Sequence, residues 1–272
     1  MPETESRLDK VKAQPRSWSQ ASQWNECGYA YYLDRIEQVW RRPASWLEMG
    51  TAVHEACEKW ELSNRTATRE EAREWFIEAY VREMAETLAT TPNLSYWESS
   101  GPYRGEADAS RRYKVGIEHV DRYIDYYTGK GSNEVIWIDP NGNPAIELNF
   151  DIDLEGVRVR GKIDAIIEHP KKGLIVRDTK TGRDPGTGAQ LKVYAQAVQE
   201  LHQVEITKGD YMMTNRGTPT RTKDLSLVPR SDVVDLFQLM DEGVKAEVFE
   251  PKPGPGCARC SVRDSCEFRE DA

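Results

Sequence analysis

The sequence predicts an α/β fold, in which a central mixed β-sheet is flanked by helices, with an N-terminal helical region and a C-terminal cysteine cap. Three observations carry this. The first half places apolar residues at helical spacing, as in Val53, Ala56, Cys57 and Trp60. The middle carries alternating or continuous apolar runs bounded by turn residues, at 146–154, 157–167 and 174–176. Past a Pro/Gly-rich segment, Cys257, Cys260 and Cys266 form a C-x2-C-x5-C pattern, with Cys27 far upstream.

The 272 residues suffice for one large α/β domain or two modest ones. Charged residues make up 31% and the net charge is -9, a balance that weighs mildly against nucleic acid as a partner. The charge is uneven, however. Glutamates crowd 55–86, whereas Arg158, Arg160, Lys162, Lys171, Lys172, Arg177, Lys180, Arg183 and Lys192 crowd the strand region. Local sign governs a nucleic-acid groove, so these cations, with Arg216, Arg221 and Lys223, are candidates to follow a phosphate backbone. No apolar run approaches a bilayer span and the N-terminus lacks a signal-peptide pattern. The expectation is a cytoplasmic protein (the host cytoplasm if phage-encoded) with no membrane partner.

In chain order, 1–16 reads as a polar, aperiodic and flexible arm, and 17–272 as a single domain. That domain divides into a helical part (17–130), a sheet core (131–230) and a cap (231–272). A serine-capped helix over 18–24 leads to Cys27 and the aromatic run Tyr29, Tyr31, Tyr32. Trp18, Trp24 and these tyrosines could stack on bases, but packing around the cysteines is the better reading for most of them. Helices follow over 51–62, 69–88 and 106–127. Strands are expected over 135–138, 146–154, 157–167 and to the end of Asp178-Thr179-Lys180, then a helix over 187–201. Two further strands over 204–214 and 221–228 and a helix over 232–247 complete the order.

A two-residue turn at Glu155-Gly156 would fix the register of the second and third strands. It sets Asp153 against Arg158, Asp151 against Arg160, and Glu147 opposite Asp164. Facing carboxylates are unfavourable unless a cation or proton lies between them, so Glu147 is expected at the edge of a metal centre.

The chemistry centres on 161–194. Asp164 lies on a strand that the turn 169–173 folds back into a second strand ending in Asp178-Thr179-Lys180. Residues two apart on a strand share a face, so Asp178 and Lys180 project together. Two carboxylates and a lysine at strand ends can hold a divalent cation and activate a water for phosphodiester hydrolysis. Asp164 and Asp178 are the candidate ligands, the Thr179 carbonyl a further one, and Lys180 the cationic partner. Hard oxygen donors favour Mg2+ or Mn2+. Asp-x-Lys alone arises by chance in many solvated strands. Here it ends the apolar run Leu174-Ile175-Val176, where charges need a reason.

G-K-I-D at 161–164, I-V-R-D-T-K at 175–180 and Q-L-K-V-Y at 190–194 together resemble the PD-(D/E)xK nuclease superfamily, specifically its RecB-like branch. The resemblance runs from Ser17 to Cys266 and is closest to the small CRISPR-associated and phage iron-sulfur exonucleases. It implies a restriction-endonuclease-like core. G-x-x-x-H at 50–54 resembles the branch's upstream motif and implies His54 as a metal ligand, although a lone helical histidine is usually surface or filling. The resemblance also implies that Gln190 and Tyr194, one turn apart on a helix, position DNA and order the site; an aromatic there is otherwise core. Cys27, Cys257, Cys260 and Cys266 resemble a split [4Fe-4S] ligand set; four thiolates suit Zn2+ as well, and only the resemblance favours iron-sulfur. Cys57, on the apolar face, reads as a buried thiol. The implied activity is an exonuclease acting on single-stranded DNA ends, in recombination, phage replication or CRISPR-type processing, with a recombination or CRISPR protein as a possible partner. The alternatives are a non-catalytic iron-sulfur subunit that binds DNA ends, against which the intact Asp-x-Lys argues, and a site-specific endonuclease, against which the cysteine cap argues.

Overall fold

A computed structural model describes residues 6–270 of the chain. The fold is mixed α/β, with a curled mixed sheet flanked by helices, and it divides into two compact units. One unit comprises the residues up to Arg42, Phe150–Gly161 and those from Pro229 on; the other comprises Pro43–Asn149 and Lys162–Val228. Among the described residues no helix is long and apolar enough to cross a membrane.

The larger unit is built on helices α4 (Ser45–Leu62), α5 (Arg69–Thr90) and α6 (Gly105–Thr128). Thr68 caps α5, its hydroxyl accepting from the Glu71 N–H while the Glu71 carboxylate reaches back to the cap. The apolar stripes of the three helices meet around Val53, Trp60, Phe76 and Tyr123, and Cys57 lies buried among them as the sequence pattern implied. Gly116 makes the crossing of α5 and α6 possible: a Cβ there would lie 2.1 Å from the Phe76 ring.

Seven strands follow: β1 (Val135–Ile136), β2 (Ile146–Leu154), β3 (Val157–His169), β4 (Gly173–Lys180), β5 (Lys208–Met213), β6 (Thr218–Pro219) and β7 (Lys223–Asp224). They pair in the order β1-β3-β4-β5-β6, with β2 also on β3 and β7 on β5. β3 and β4 are antiparallel, while β4 and β5 run parallel. The parallel step needs a crossover, which helix α7 (Ala189–His202) supplies. The last expected strand, 221–228, is cut short. The Asp224 carboxylate accepts the Ser226 N–H at 3.0 Å and turns the chain into a short 3-10 segment at Leu225–Leu227.

β4 carries Arg177 and Thr179 on one face and Asp178 and Lys180 on the other. Arg177 is 1% exposed. Its guanidinium forks onto Asp210 at 2.6 and 2.8 Å and also bonds Glu134 and the Tyr127 hydroxyl. It therefore cannot follow a phosphate backbone, and the expectation that placed it among the groove cations is corrected.

In the smaller unit the described part of the expected arm contains helix α1 (Arg7–Ala13). Ser6 and Asp9 form a capping box, a signal present in the sequence that its polar composition obscured. Residues 1–5 of that arm lie outside the described part. Arg16 is buried and bonds Asp241 on helix α8 (Arg230–Lys245) at 2.8 Å. Helices α2 (Trp18–Glu26) and α3 (Gly28–Tyr31) precede a π-helical turn at Tyr32–Glu37. Tyr29 meets Phe268 edge-on at 4.8 Å and Tyr31 stacks on Phe249, so these aromatics pack on one another.

The β2–β3 turn is the expected two-residue type, with Glu155 at φ 53° and Gly156 at φ 92°. The charge pairing differs from the expected one. Arg158 forks diagonally onto Asp151 at 2.7 and 2.6 Å, and Asp153 instead accepts the Gly156 N–H at 2.8 Å. A carboxylate next to a tight turn finds a backbone donor before it finds the cross-strand cation.

Candidate active site

The β3–β4 ladder runs from His169↔Gly173 to Ala165↔Arg177, each pair summing to 342. One further step along the same register sets Asp164 against Asp178. There the ladder gives way, because the Thr179 N–H donates to Asp164 Oδ2 at 2.8 Å rather than to the β3 backbone. On a strand the N–H and C=O of one residue point to the same side. The Thr179 carbonyl thus lies on the Asp164 side of β4. The Lys180 carbonyl points the other way and accepts from Thr214 N at 3.0 Å.

His54 arrives from α4. Gly50, one turn earlier, lets that helix approach the end of β4: a Cβ at 50 would sit 3.2 Å from Thr181 Oγ1. His54 Nδ1 is 3.5 Å from Asp164 Oδ2.

Glu147 completes the group, since ligand atoms of His54, Glu147 and Asp164 all lie within 4.8 Å of one another. The register count anticipated this neighbourhood, but not how it is reached. Glu147 has φ 48°, so the strict alternation expected along β2 breaks there and resumes beyond Asn149. A left-handed non-glycine residue costs roughly 1–2 kcal/mol, a strain of the kind that gathers at functional sites. The Glu147 carboxylate also receives the Lys162 ammonium at 3.1 Å.

Asp178, Lys180, Gln190 and Tyr194 close a ring. Lys180 Nζ lies 2.7 Å from Asp178 Oδ2 and donates to Gln190 Oε1 at 3.0 Å. Gln190 Nε2 donates to the Tyr194 hydroxyl at 2.8 Å, and that hydroxyl donates to Asp178 Oδ1 at 3.5 Å. Burial, then the charges of Asp164 and Asp178, push the Tyr194 phenol far up, so it stays a proton donor.

Each of the two aspartates is raised by burial and pulled back by its neighbours. Burial, then the Asp178 charge, raises Asp164 above its ordinary value, against the opposing pull of His54 and the Thr179 N–H. Burial raises Asp178 as well, and Lys180 is the main influence opposing it. Carboxylates held this way favour a cation between them. The donor set, carboxylate oxygens with one imidazole, fits a divalent metal.

Two neighbours were not legible in the sequence. The His119 imidazole lies 2.9 Å from Thr214 Oγ1, and that hydroxyl donates to the Lys180 carbonyl at 3.2 Å. The Tyr211 hydroxyl accepts the Gly188 N–H at 3.1 Å, pinning the loop before α7. Both contacts join segments far apart in sequence, so no local pattern announces them.

In the smaller unit Cys27, Cys257, Cys260 and Cys266 line one cavity of about 600 Å³ together with Lys252. Burial raises the Cys260 thiol, and the other three cysteines add to that shift. Among the described residues no three cysteine sulfurs come within 4.8 Å of one another.

Comparison with known proteins gives four results. The family model described as PD-(D/E)XK nuclease superfamily matches residues 15–267. Gene 69 protein of Mycobacterium phage D29 is 41% identical over 268 residues, covering 95% of this chain and 98% of its own. Gene 69 protein of Mycobacterium phage L5 is 39% identical over 279 residues, covering 92% and 95%. Among solved structures, "Crystal structure of SSO0001" aligns at 18% identity and a TM-score of 0.32, covering 60% of this chain and 79% of that one.

Proposed function

We propose that this chain, which belongs to the PD-(D/E)XK nuclease superfamily and so to the metal-dependent nucleases, is an exonuclease acting on single-stranded DNA ends. The observation that carries the reading is the meeting of His54, Glu147 and Asp164 beside the Asp178–Lys180 ring. The proposed ligands are His54, Asp164, Asp178 and the Thr179 carbonyl, with Mg2+ or Mn2+ as the ion. Once bound, a divalent ion supplies Lewis-acid polarisation of the phosphate and a water of lowered pKa.

The residues of the chain do the rest. Asp178 and Gln190 hold the Lys180 ammonium in one place, where it can orient the attacking water and offset charge gathering at phosphorus. Gln190 and Tyr194 fix that lysine from the helix side and thereby order the site. Thr179 anchors the Asp164 carboxylate through its N–H, which meets the same Oδ2 that lies 3.5 Å from His54 Nδ1.

For the cysteine cavity we propose a [4Fe-4S] cluster. A tetrahedral zinc site, with Zn–S near 2.3 Å, brings its sulfurs to about 3.8 Å apart. What speaks for the reading is that all four cysteines line the same cavity. The proposed role is end processing during phage replication or recombination, in the host cytoplasm; what speaks for a phage setting is that both relatives are mycobacteriophage proteins.

The decisive experiment incubates end-labelled linear and circular single-stranded DNA with Mg2+ or Mn2+. Degradation confined to linear DNA is expected. Cutting of circles makes the protein an endonuclease, and intact DNA with metal-loaded protein makes it an end-binding subunit.

A further inference from the structure

Lys162 and Lys180 occupy matched positions on the two strands that carry the aspartates. Lys162 precedes Asp164 by two residues on β3, and Lys180 follows Asp178 by two on β4. Because the strands are antiparallel, both lysines stand at the same, outward end of the carboxylate pair and on its face. Their surroundings differ. Lys180 is held by two partners, Asp178 and Gln190, with its side chain 32% exposed. The Lys162 side chain is 50% exposed, and its ammonium rests on Glu147.

Glu147 is shared between two claims. Its carboxylate holds Lys162, and it also lies with the His54 and Asp164 ligand atoms. Were Glu147 to join His54 and Asp164 in holding a cation, its carboxylate would hold the Lys162 ammonium less firmly. The four-carbon stem of lysine then lets the point charge turn outward toward solvent. A negatively charged backbone entering the site meets that ammonium beside the carboxylates that would otherwise repel it.

We propose that Lys162 binds a backbone phosphate of the DNA strand next to the scissile bond, with Glu147 as its resting counter-ion. The proposal rests on the nuclease reading of the same site. The competing role is purely local, in which Lys162 only neutralises Glu147 and never meets DNA.

The test measures binding of a short fluorescein-labelled oligothymidylate by anisotropy across a salt series, with Ca2+ replacing Mg2+. Wild type, Lys162→Gln and Lys162→Arg are compared. Losing one phosphate contact on a single strand makes the slope of log affinity against log salt shallower by about 0.7. Lys162→Gln is expected to show that change, with KM for linear DNA rising more than kcat falls, and Lys162→Arg is expected to keep the wild-type slope. An unchanged slope in Lys162→Gln, with calorimetry showing altered Mn2+ affinity, overturns the proposal in favour of the local role. Failure of wild type to bind the oligonucleotide overturns it too. Wild type that binds with a Lys162-dependent slope yet cleaves no DNA in Mn2+ leaves the contact standing and defeats the nuclease reading alone.

Discussion

Asp164 and Asp178 face each other across β3 and β4 at the first position where the ladder between those strands gives way. Two buried carboxylates in that relationship are costly to ionise together, and the metal-free fold bears that cost. Asp164→Asn should therefore stabilise the metal-free protein while removing activity. The amide oxygen can still accept the Thr179 N–H. Relief of about 1 kcal/mol corresponds to a rise of roughly 2–4 °C in Tm for a chain of this size. Cleavage should fall on the order of a hundredfold or more. A variant that melts below the parent without metal contradicts the account.

The same relationship gives metal binding a pH dependence of definite sign. Asp164 is raised in the fold, so in the window above the ordinary carboxylate range the metal-free fold holds a proton that the unfolded chain releases. Metal-free stability consequently falls as pH rises through that window. Metal must displace the same proton, so its affinity rises with pH. Calorimetric titration of Mn2+ in buffers of different ionisation enthalpy should detect proton release, and the stabilisation by Mn2+ should be larger at pH 8 than at pH 6.

His119 has the opposite sign. Burial, then Arg122 and Arg112, lowers it to about 4. The unfolded chain takes up a proton near pH 6.5 while the fold does not, so stability is full above that value and is lost as pH falls toward 4. The shift amounts to about 3 kcal/mol. Urea unfolding in the Asp164→Asn background isolates this contribution. His119→Asn, whose amide can replace Nδ1–H toward Thr214, should flatten the dependence.

Arg177 is the structural cation of the sheet. Arg177→Met leaves Asp210 and Glu134 buried without their partner and should cost about 3–5 kcal/mol. Adding Asp210→Leu should recover part of that loss. If Arg177→Met unfolds at the wild-type urea midpoint, the buried network contributes nothing.

The cysteine cavity predicts a spectroscopic and a thermal result. The proposed cluster, if held by Cys27 and the C-terminal cysteines, would close a long loop, a constraint on the order of 4 kcal/mol in the cross-link model. Cys260→Ala should lose visible thiolate-to-iron absorbance and melt roughly 10 °C lower. Parent-like melting with intact absorbance rules the ligand role out.

Much of this was readable in the sequence because it is governed by local rules. The helices at 45–62, 69–90 and 105–128 follow apolar period and capping, and Cys57 is buried because it shares the stripe of Val53 and Trp60. The Glu155-Gly156 turn and the side-chain period of two are enough to bring Glu147 near Asp164. The Ser6–Asp9 box is equally local, but the polar composition around it masks the helix it starts. Tertiary structure alone decided the remainder. It buried Arg177 against Asp210, set the left-handed turn at Glu147, and tied His119 through Thr214 to the end of β4. A charged residue on a strand reads the same whether it meets solvent or a partner dozens of residues away. Only the packing of elements distant in sequence determines which, because desolvation and pairing depend on the neighbours and not on the residue itself.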